Sequence, residues 1–261
     1  MPTSVRLVVP CWNEADRFDA AAFDAGLRAD PALSLTLVDD GSTDATRGVL
    51  EAFARAHPDR ADVVALDRNV GKGEAVRAGL LRALAFRPTW TGWWDADLAT
   101  PLSDVTRLRE ALEARPSACL AMGARVRMLG ARIERRALRH GGGRIVATLA
   151  SRTLGLATYD TQCGAKLFRV EATPPSLFDE PFLTRWLFDV EVLARLARRH
   201  RRGEGPAPED LVVEVPLARW NDVAGSKVRP FDFVRAIFGL RRIRRHYGLS
   251  GRRAPLPPGT V

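Results

Sequence analysis

The chain contains 261 residues, of which 46% are hydrophobic and 27% are charged. This composition is typical of a globular protein, and the length is sufficient for one large domain with a substantial core. No run of about 18 or more apolar residues occurs, so the sequence predicts no transmembrane helix.

The cysteine content and the N-terminus both predict a cytoplasmic protein. Cys11, Cys119 and Cys163 are odd in number and widely spaced, which argues against a disulfide framework and against a zinc site. The first ten residues enter a strand pattern directly and lack the layout of a signal peptide.

The formal net charge of +9 is unevenly distributed. Arginines crowd residues 125–144, and a second basic cluster covers residues 235–253. Such an excess favours anionic partners, namely phosphates, a membrane surface or nucleic acid, although an arginine-rich solvated surface is an alternative. Aromatic residues are not interleaved with these clusters as stacking platforms would be, which argues against nucleic acid.

The first half of the chain, residues 1–124, alternates short apolar runs with helical patterns. Four predicted strands cover 5–10, 35–39, 62–66 and 91–95. Predicted helices lie near 18–29, 43–56, 74–86 and 102–114, and a fifth strand lies near 118–123. This order, with near-continuous apolar strands, predicts an α/β fold with a parallel sheet covered on both faces. Ser42 or Thr43 is the predicted N-cap of the second helix, with Asp44 in its first turn.

The second half, residues 125–251, has a different pattern. Its basic opening segment with three consecutive glycines, 141–143, is predicted to be a mobile loop leading into a helix near 144–154. A helix near 183–199, a strand at 211–215 and a helix from Phe233 onward follow. The Pro/Gly-rich residues 252–261 are expected to form a disordered tail. A single domain over 1–251 is the simplest organisation.

Polar turns follow each of the four strands in the first half. Because ligands bind outside the carboxyl ends of strands in open α/β sheets, these turns predict one shared site. Pro10 and Glu14 are expected to flank a base and ribose pocket, and Asp39 and Asp40 to accept hydrogen bonds from a nucleotide. Each turn alone could be only a strand ending, a helix start or a Gly-rich connection. Their coincidence at one edge favours the functional interpretation.

The third and fourth turns supply groups suited to phosphate chemistry. Gly71 lets the backbone approach a ligand closely, and Lys72 supplies a point charge. Asp97, together with Asp95, offers hard oxygen ligands for Mg²⁺ or Mn²⁺ against a diphosphate. Such a cation neutralises charge on a departing nucleoside diphosphate. Neither a P-loop nor a dinucleotide fingerprint occurs.

Seven ordered motifs carry a resemblance to a known family: VVPCWNE, LVDDGSTD, NVGKGEAV, WWDADLATP, DTQCGAKLF, LFDVEVL and VAGSKVRPF. The chain resembles a family 2 glycosyltransferase of the GT-A fold over roughly residues 5–245, and within it the dolichyl- and polyprenyl-phosphate glucosyltransferases. The resemblance implies a Rossmann-like sheet with an acceptor-binding second half. It implies inverting transfer from a nucleotide sugar, most simply UDP-glucose, with a divalent metal. Ala99 stands where a mannose-transferring branch has Gln, which favours glucose, and Ala165 replaces a usual aromatic residue.

The resemblance and the turns together define the candidate site residues. The nucleotide sugar is assigned to Pro10, Trp12, Glu14, Asp39, Asp40, Gly71, Lys72, Asp95, Ala96, Lys227 and Arg229. Lys227 and Arg229 lie in a loop that could close over the diphosphate, although a charged surface loop is the alternative. The sugar and acceptor are assigned to Arg125, Gln162, Cys163, Gly164 and Trp220. Gln162 offers both donors and an acceptor to sugar hydroxyls, or else belongs to a simple turn.

The helix near 183–199 contains two acidic residues with different predicted roles. Asp189 shares the apolar face with Trp186 and Leu193, whereas Glu191 pairs with Arg195 at i+4 and is expected to be a solvated salt bridge. Burial would raise the pKa of a carboxyl group, as a general base requires. Asp189 is therefore the candidate base, with a buried structural ion pair as the alternative.

The acceptor is the least determined part of the prediction. The leading hypothesis is a polyprenyl phosphate at the cytoplasmic membrane face, and the alternatives are a soluble hydroxylated acceptor or a nucleotide-sugar-binding protein without catalysis. The C-terminal helix has an apolar stripe, Ala236, Ile237, Leu240, Ile243 and Tyr247, beside a basic face. Such a helix can rest on an anionic bilayer, as a peripheral membrane protein does, or pack on its own domain.

Overall fold

The computed structural model describes residues 4–134, 137–221 and 230–249. Within these ranges it contains a seven-stranded sheet and a separate two-stranded one. The predicted roles of Lys227 and Arg229 and the predicted tail at 252–261 lie outside the described residues.

The strands are β1 (Val5–Cys11), β2 (Leu33–Asp39), β3 (Ala61–Ala65), β4 (Trp90–Trp94), β5 (Leu120–Ala124), β6 (Arg132–Glu134), β7 (Ala165–Arg169), β8 (Val212–Pro216) and β9 (Arg219–Asn221). The large sheet has the order β3-β2-β1-β4-β7-β5-β8, and β6 pairs with β9. All strands of the large sheet are parallel except β7, which runs antiparallel to its neighbours β4 and β5. The carboxyl ends of the parallel strands and the amino end of β7 therefore meet at one edge.

The helices are α1 (Ala20–Ala29), α2 (Thr46–Ala56), α3 (Lys72–Leu84), α4 (Asp104–Glu113), α5 (Ala137–Leu154), α6 (Phe188–Arg201), α7 (Pro208–Leu211) and α8 (Pro230–His246). Two short 3-10 helices, Val170–Ala172 and Pro175–Phe178, follow β7. Helices α1, α2 and α4 cover one face of the sheet, and α3, α5, α6 and α8 cover the other. No described helix is long and apolar enough to cross a bilayer.

The apolar strands are buried on both faces, which explains their near-continuous hydrophobic sequences. In β1, Val8 belongs to the core beneath α3 and α6, whereas Leu7 and Val9 belong to the core beneath α1 and α2. Trp93 and Trp94 divide in the same way. Side chains alternate between sheet faces along a strand, so each face receives its own apolar set. The predicted α/β class and parallel order are confirmed.

Two predictions about helix starts are wrong. Helix α2 begins at Thr46 without a side-chain cap, because Ser42 and Thr43 instead bond to Asn13 in the preceding turn. Asp44 lies before the helix and accepts hydrogen bonds from the amides of Thr46 and Ala15. These side chains join two turns rather than capping a helix.

The segments before α5 and α6 also differ from the prediction. The three glycines 141–143 lie inside α5, whose backbone is helical from Ala137, and this helix packs against α6 and α8. Tertiary packing thus overrides the poor helix propensity of glycine. Helix α6 begins at Phe188 rather than near 183, because the amides of Phe182 and Leu183 bond to Glu74 and Glu191.

The C-terminal helix α8 packs on its own domain. Ala236, Leu240, Ile243 and Tyr247 are buried in the core beneath α5 and α6, whereas Ile237, predicted to join this stripe, is 41% exposed. The outward surface of α8 remains strongly basic, with Arg241, Arg242 and Arg245 among its exposed residues.

Candidate active site

Hydrogen bonds connect the turn after β1 to the turn after β2. The amide of Asn13 donates to Ser42 Oγ at 3.0 Å, and the amide of Glu14 donates to Thr46 Oγ1 at 2.7 Å. Asn13 adopts the left-handed conformation, with φ of 50°, and its side-chain oxygen accepts from Thr43 N. Trp12 projects from this turn and is 39% exposed. These bonds hold the two turns as one wall of a cleft.

Asp40 organises the glycine-containing turn that leads into α3. Its buried carboxylate accepts hydrogen bonds from the amides of Val70 and Gly71 and from the side chain of Asn69. Burial raises the pKa of Asp40, while the two amides oppose that shift. Gly71 has φ of 98°, which favours glycine. The adjacent Asp39 is also buried and accepts from Ser42 N at 3.0 Å. Asp40 thereby fixes the backbone from which Lys72 projects.

Lys72 and Asp95 form a direct ion pair at the centre of this edge. The lysine Nζ lies 2.5 Å from Asp95 Oδ1, and the two side chains are 38% and 34% exposed. Burial alone would lower the pKa of Lys72, but the carboxylates of Asp95 and Asp189 raise it overall. Burial opposes ionisation of Asp95 as well, yet Lys72 and Lys166 hold the pKa of Asp95 below its usual range. Both groups are therefore charged at neutral pH.

Asp97 lies two residues beyond Asp95 and borders open space. Its Oδ1 accepts from Ala99 N at 3.1 Å, and a groove of about 660 Å³ lined by α1 and the start of α4 opens beside it. Burial and the neighbouring charge of Asp95 raise the pKa of Asp97. The intervening Ala96 is buried.

The two carboxylates fit a nucleotide-bound divalent cation. Burial and the charge of Asp95 both raise the pKa of Asp97, and a bound cation would oppose that shift. In the described ranges no group of three or more His, Cys, Asp or Glu residues could hold a metal ion. Two carboxylates plus a diphosphate and water are nonetheless the usual ligand set of Mg²⁺, which is seldom held by an all-protein cage.

Asp189 lies on the first turn of α6 and is 5% exposed. Its Oδ1 accepts a hydrogen bond at 2.5 Å from Lys166 of β7, which is also buried and donates to the carbonyl oxygens of Thr161 and Cys163. Burial raises the pKa of Asp189, while Lys166 and Lys72 lower it. The carboxyl group is thus both desolvated and held by a fixed cation.

The prediction for Glu191 is correct about its ion-pair partner and wrong about its exposure. Glu191 does pair with Arg195, at 3.2 Å, but it is fully buried rather than solvated. Its carboxylate also accepts from the amide of Leu183 and from the hydroxyl of Tyr247. Glu191 therefore anchors the segment that precedes α6, and it faces away from the cleft toward α8.

Arg125, one of the residues predicted to contact the acceptor, directly follows β5. Its guanidinium makes two hydrogen bonds to Asp160, at 2.6 and 2.7 Å, and lies 5.3 Å from the ring of Trp220. The amides of Tyr159 and Asp160 bond in turn to the carboxylate of Glu214 on β8. Burial would lower the pKa of Arg125, but Asp160 raises it. This chain of contacts fixes a cation beside the turn that precedes β7.

Three further predicted residues lie in that turn. Cys163, predicted to contact the sugar or the acceptor, is fully buried, and burial raises the pKa of its thiol to about 11, so this side chain packs in the interior. Gly164 packs directly against Asp95, and an added Cβ would lie 1.9 Å from Oδ2. Gln162 is half-buried, and its Nε2 has no hydrogen-bond partner among the residues that the structure describes.

Lys166 and Arg185 were not among the predicted site residues. The guanidinium of Arg185 bonds to the side-chain oxygen of Asn69, and its side chain covers Gly71. Its backbone oxygen accepts from Gly73 N at 3.2 Å. The lysine of the CGAK segment was visible in the sequence, but its value as a partner of Asp189 depends on a contact across 23 residues.

The structure brings several of the predicted site residues together at this edge of the sheet. Lys72 interacts electrostatically with Asp95, Asp97 and Asp189, and the charge of Arg125 also acts on Asp95. Pro10 lies at the end of β1 opposite Val38, one position before Asp39. Glu14 pairs with Arg17, whose guanidinium also reaches 3.9 Å from Asp97. The site therefore joins the ends of β1, β2 and β4 to α3, α6 and the turn before β7.

Solved structures share this architecture. The chain superposes with a TM-score of 0.62, at 20% identity, on glucosyl-3-phosphoglycerate synthase from Mycobacterium tuberculosis in complex with Mn²⁺ and uridine-diphosphate-glucose, covering 95% of this chain and 80% of that one. A structure of the same synthase with Mn²⁺, UDP and glucosyl-3-phosphoglycerate gives a TM-score of 0.61. The fold is that of the GT-A glycosyltransferases.

Sequence relatives define the family. Residues 7–174 match the family described as Glycosyl transferase family 2. A dolichyl-phosphate beta-glucosyltransferase of Drosophila melanogaster is 32% identical, and one of Homo sapiens is 30% identical. Each alignment covers 86% of this chain and 69% of the relative. The chain belongs to glycosyl transferase family 2 and is a glycosyltransferase.

Proposed function

We propose that this enzyme transfers glucose, with inversion, from UDP-glucose to a polyprenyl phosphate and uses Mg²⁺ or Mn²⁺. The observation that carries the proposal is the convergence of Lys72, Asp95, Asp97 and Asp189 at one sheet edge. The names of the sequence relatives support the donor sugar and the lipid phosphate acceptor. The Mn²⁺ and UDP-glucose in the complex of the structural neighbour are compatible with the two-carboxylate site.

Different residues of the cleft have different roles in the reaction. The turns at Asp39 and Asp40 hold the nucleoside, and Asp95 and Asp97 would hold the cation. The bound cation would neutralise charge on the leaving diphosphate. Arg125 is placed to attract an anionic acceptor, whose phosphate oxygen attacks the anomeric carbon as the bond to UDP breaks. Such an oxygen is already ionised and needs no general base, so Asp189 would act by holding the ammonium of Lys166 in place rather than by taking a proton.

The surface offers two apolar features suited to a bilayer. Phe238 on α8 is 62% exposed among exposed arginines. Met128 and Leu129 project from the loop after Arg125, and Arg127 and Arg132 on either side of them are exposed. Basic surfaces with protruding apolar residues bind anionic membranes. Co-sedimentation with vesicles should rise with anionic lipid content, and binding that ignores this content would remove the membrane from the proposal.

Donor and acceptor can be tested separately. Thermal-shift measurements with nucleotide sugars, with and without Mn²⁺, should give the largest stabilisation for UDP-glucose with metal. Transfer is then measured to a short-chain prenyl phosphate, to the matching prenyl alcohol and to 3-phosphoglycerate. Transfer to the prenyl phosphate alone supports the proposal, whereas transfer only to a soluble hydroxyl compound establishes the alternative acceptor class.

Two substitutions to asparagine make this test specific to the site. Asp97→Asn should abolish the metal-dependent part of the thermal shift, because it removes one charged oxygen ligand. Asp59→Asn is the matched control, since Asp59 is exposed and precedes β3 at the opposite edge of the sheet. If both variants bind UDP-glucose and Mn²⁺ as the wild type does, the proposed metal site is wrong.

A further inference from the structure

The ammonium group of Lys72 occupies the position beside Asp95 where a cation could otherwise bind. Lys72 Nζ lies 2.5 Å from Asp95 Oδ1, a direct charged contact between the first residue of α3 and the turn after β4. The two groups come from different elements, and about a third of each side chain is exposed. The contact therefore faces the cleft and can be exchanged with a ligand.

The backbone of Gly164 restricts the carboxyl group of Asp95 on one side. The carboxyl group packs against this backbone, where even a methyl group would come within 2.4 Å of both oxygens. Arg125 and Lys166 add positive charge on the same side. A divalent cation approaching Asp95 therefore meets an ammonium already at Oδ1, and two cations at one oxygen repel each other.

Lys72 can leave this position if it is offered another anion. An ammonium on a four-carbon stem is a mobile point charge, and its backbone is fixed by the turn that Asp40 holds. A diphosphate bound next to that turn would be within reach of the side chain. Movement of the ammonium from Asp95 to the diphosphate would leave Asp95 and Asp97 together as a doubly negative pair.

We propose that Lys72 is an internal counter-cation that keeps the metal affinity of the free enzyme low. The nucleoside diphosphate draws the ammonium away and so creates the metal site, which makes nucleotide and metal binding cooperative. By linkage the effect is reciprocal, since metal must strengthen nucleotide binding by the same factor. This inference rests on the proposed function, because it takes Asp95 and Asp97 as the metal ligands.

The test is a Mn²⁺ titration monitored by electron paramagnetic resonance of the free ion, performed without nucleotide, with UDP and with uridine. Wild-type protein should bind Mn²⁺ weakly alone and with uridine, and roughly tenfold or more tightly with UDP. Lys72→Met should bind Mn²⁺ alone roughly tenfold more tightly than the wild type, and its gain from UDP should shrink. Lys72→Arg retains a cation near Asp95 and should bind Mn²⁺ alone as weakly as the wild type.

Two controls separate the local effect from net charge and from misfolding. Arg55→Gln removes a positive charge from a 71% exposed side chain on α2 and should leave Mn²⁺ affinity unchanged. Lys72→Gln replaces the lysine, whose side chain is 38% exposed, by a neutral polar residue, so it repeats the test if the methionine variant folds poorly. Unfolding midpoints of all variants are compared with that of the wild type.

The outcomes distinguish this inference from the proposed function. If wild-type protein binds no Mn²⁺ even with UDP, the metal-dependent function itself fails. If the wild type binds Mn²⁺ with UDP, but neutral variants at Lys72 bind Mn²⁺ alone no better than the wild type, the metal site stands and the counter-cation role of Lys72 is overturned.

Discussion

Lys166 and Asp189 form a buried ion pair that joins the antiparallel strand β7 to helix α6. Nζ and Oδ1 are 2.5 Å apart, and the side chains are 1% and 6% exposed. The same ammonium donates to the carbonyl oxygens of Thr161 and Cys163, at 3.0 and 2.6 Å. One buried cation therefore positions both the candidate base and the turn that precedes β7.

Breaking this pair from one side should be costly. Lys166→Met leaves a desolvated carboxylate without its cation, and we expect the free energy of unfolding in urea to fall by about 3–5 kcal/mol. The double variant Lys166→Met with Asp189→Leu removes both charges and should recover at least half of that loss. A double variant less stable than the single one would show that the pair is not the source of the effect.

Replacing the candidate base tests which acceptor chemistry the site performs. Asp189→Asn keeps the shape of the side chain but cannot accept a proton. With a prenyl phosphate acceptor we expect kcat to fall less than roughly tenfold, because that oxygen is already ionised; a hydroxyl acceptor would lose about 10²–10⁴-fold. Steady-state kinetics with both acceptor types decide between these cases. A large loss with the phosphate acceptor would make Asp189 essential in some other way.

The two candidate metal ligands should affect stability in opposite directions. The pKa of Asp97 is raised in the folded state, so its ionisation destabilises the fold above that pKa, and this cost is absent below the unfolded value of 3.8. Asp97→Asn should therefore stabilise the metal-free protein at pH 7, and the gain should vanish as the pH falls toward 3.8.

Asp95→Asn is the matched control for this pair. The pKa of Asp95 is lowered by Lys72, so its charge contributes stability at neutral pH that is lost as the pH falls through the folded pKa. This variant should be less stable than the wild type at pH 7. Unfolding curves in EDTA from about pH 2 to about pH 7 measure both effects, and equal shifts of the same sign would contradict the assignment.

The parallel half of the fold could be predicted because each local signal agrees with the tertiary structure. In β1, residues such as Val8 and Val9 face different cores, and this burial on both faces appears directly as an apolar run. The carboxyl ends of such strands share one edge, which is why Lys72 and Asp95 could be expected near each other before their contact was known.

Contacts between distant segments could not be predicted in the same way. Strand β7 contains Lys166, and the burial of this lysine is made acceptable by its bonds to Asp189, Thr161 and Cys163, which come from other segments. Glu191 pairs with Arg195 at i+4, a spacing that is identical in solvated and buried helices. Leu183 and Tyr247 donate the hydrogen bonds that stabilise the buried carboxylate of Glu191, and these contacts form only in the complete fold.

The Glu191 network should be important for stability more than for chemistry. Tyr247 Oη donates to Glu191 at 2.8 Å, and burial raises the pKa of Tyr247 to about 12, so the hydroxyl remains a donor at all physiological pH values. Tyr247→Phe should cost about 1–2 kcal/mol of unfolding free energy, and Glu191→Gln about 2–3 kcal/mol. Donor KM measured well below the unfolding midpoint should be unchanged, and a selective rise in KM would instead tie α8 to the cleft.

Substitution of Gly164 should impair the site, because its missing side chain is what lets Asp95 occupy its position. An added Cβ would lie 1.9 Å from Asp95 Oδ2, so the carboxylate must move away from Lys72. We expect Gly164→Ala to lower kcat/KM at least 10²-fold, since misplacement by about 1 Å has this effect at a reacting centre.

Gly48→Ala in α2 is the matched control, because an added Cβ meets nothing within 4 Å there among the described residues. That variant should keep full activity and gain roughly 0.5–1 kcal/mol of stability from reduced unfolded-state entropy. Equal activity of the two alanine variants would show that Asp95 need not hold its place beside Gly164.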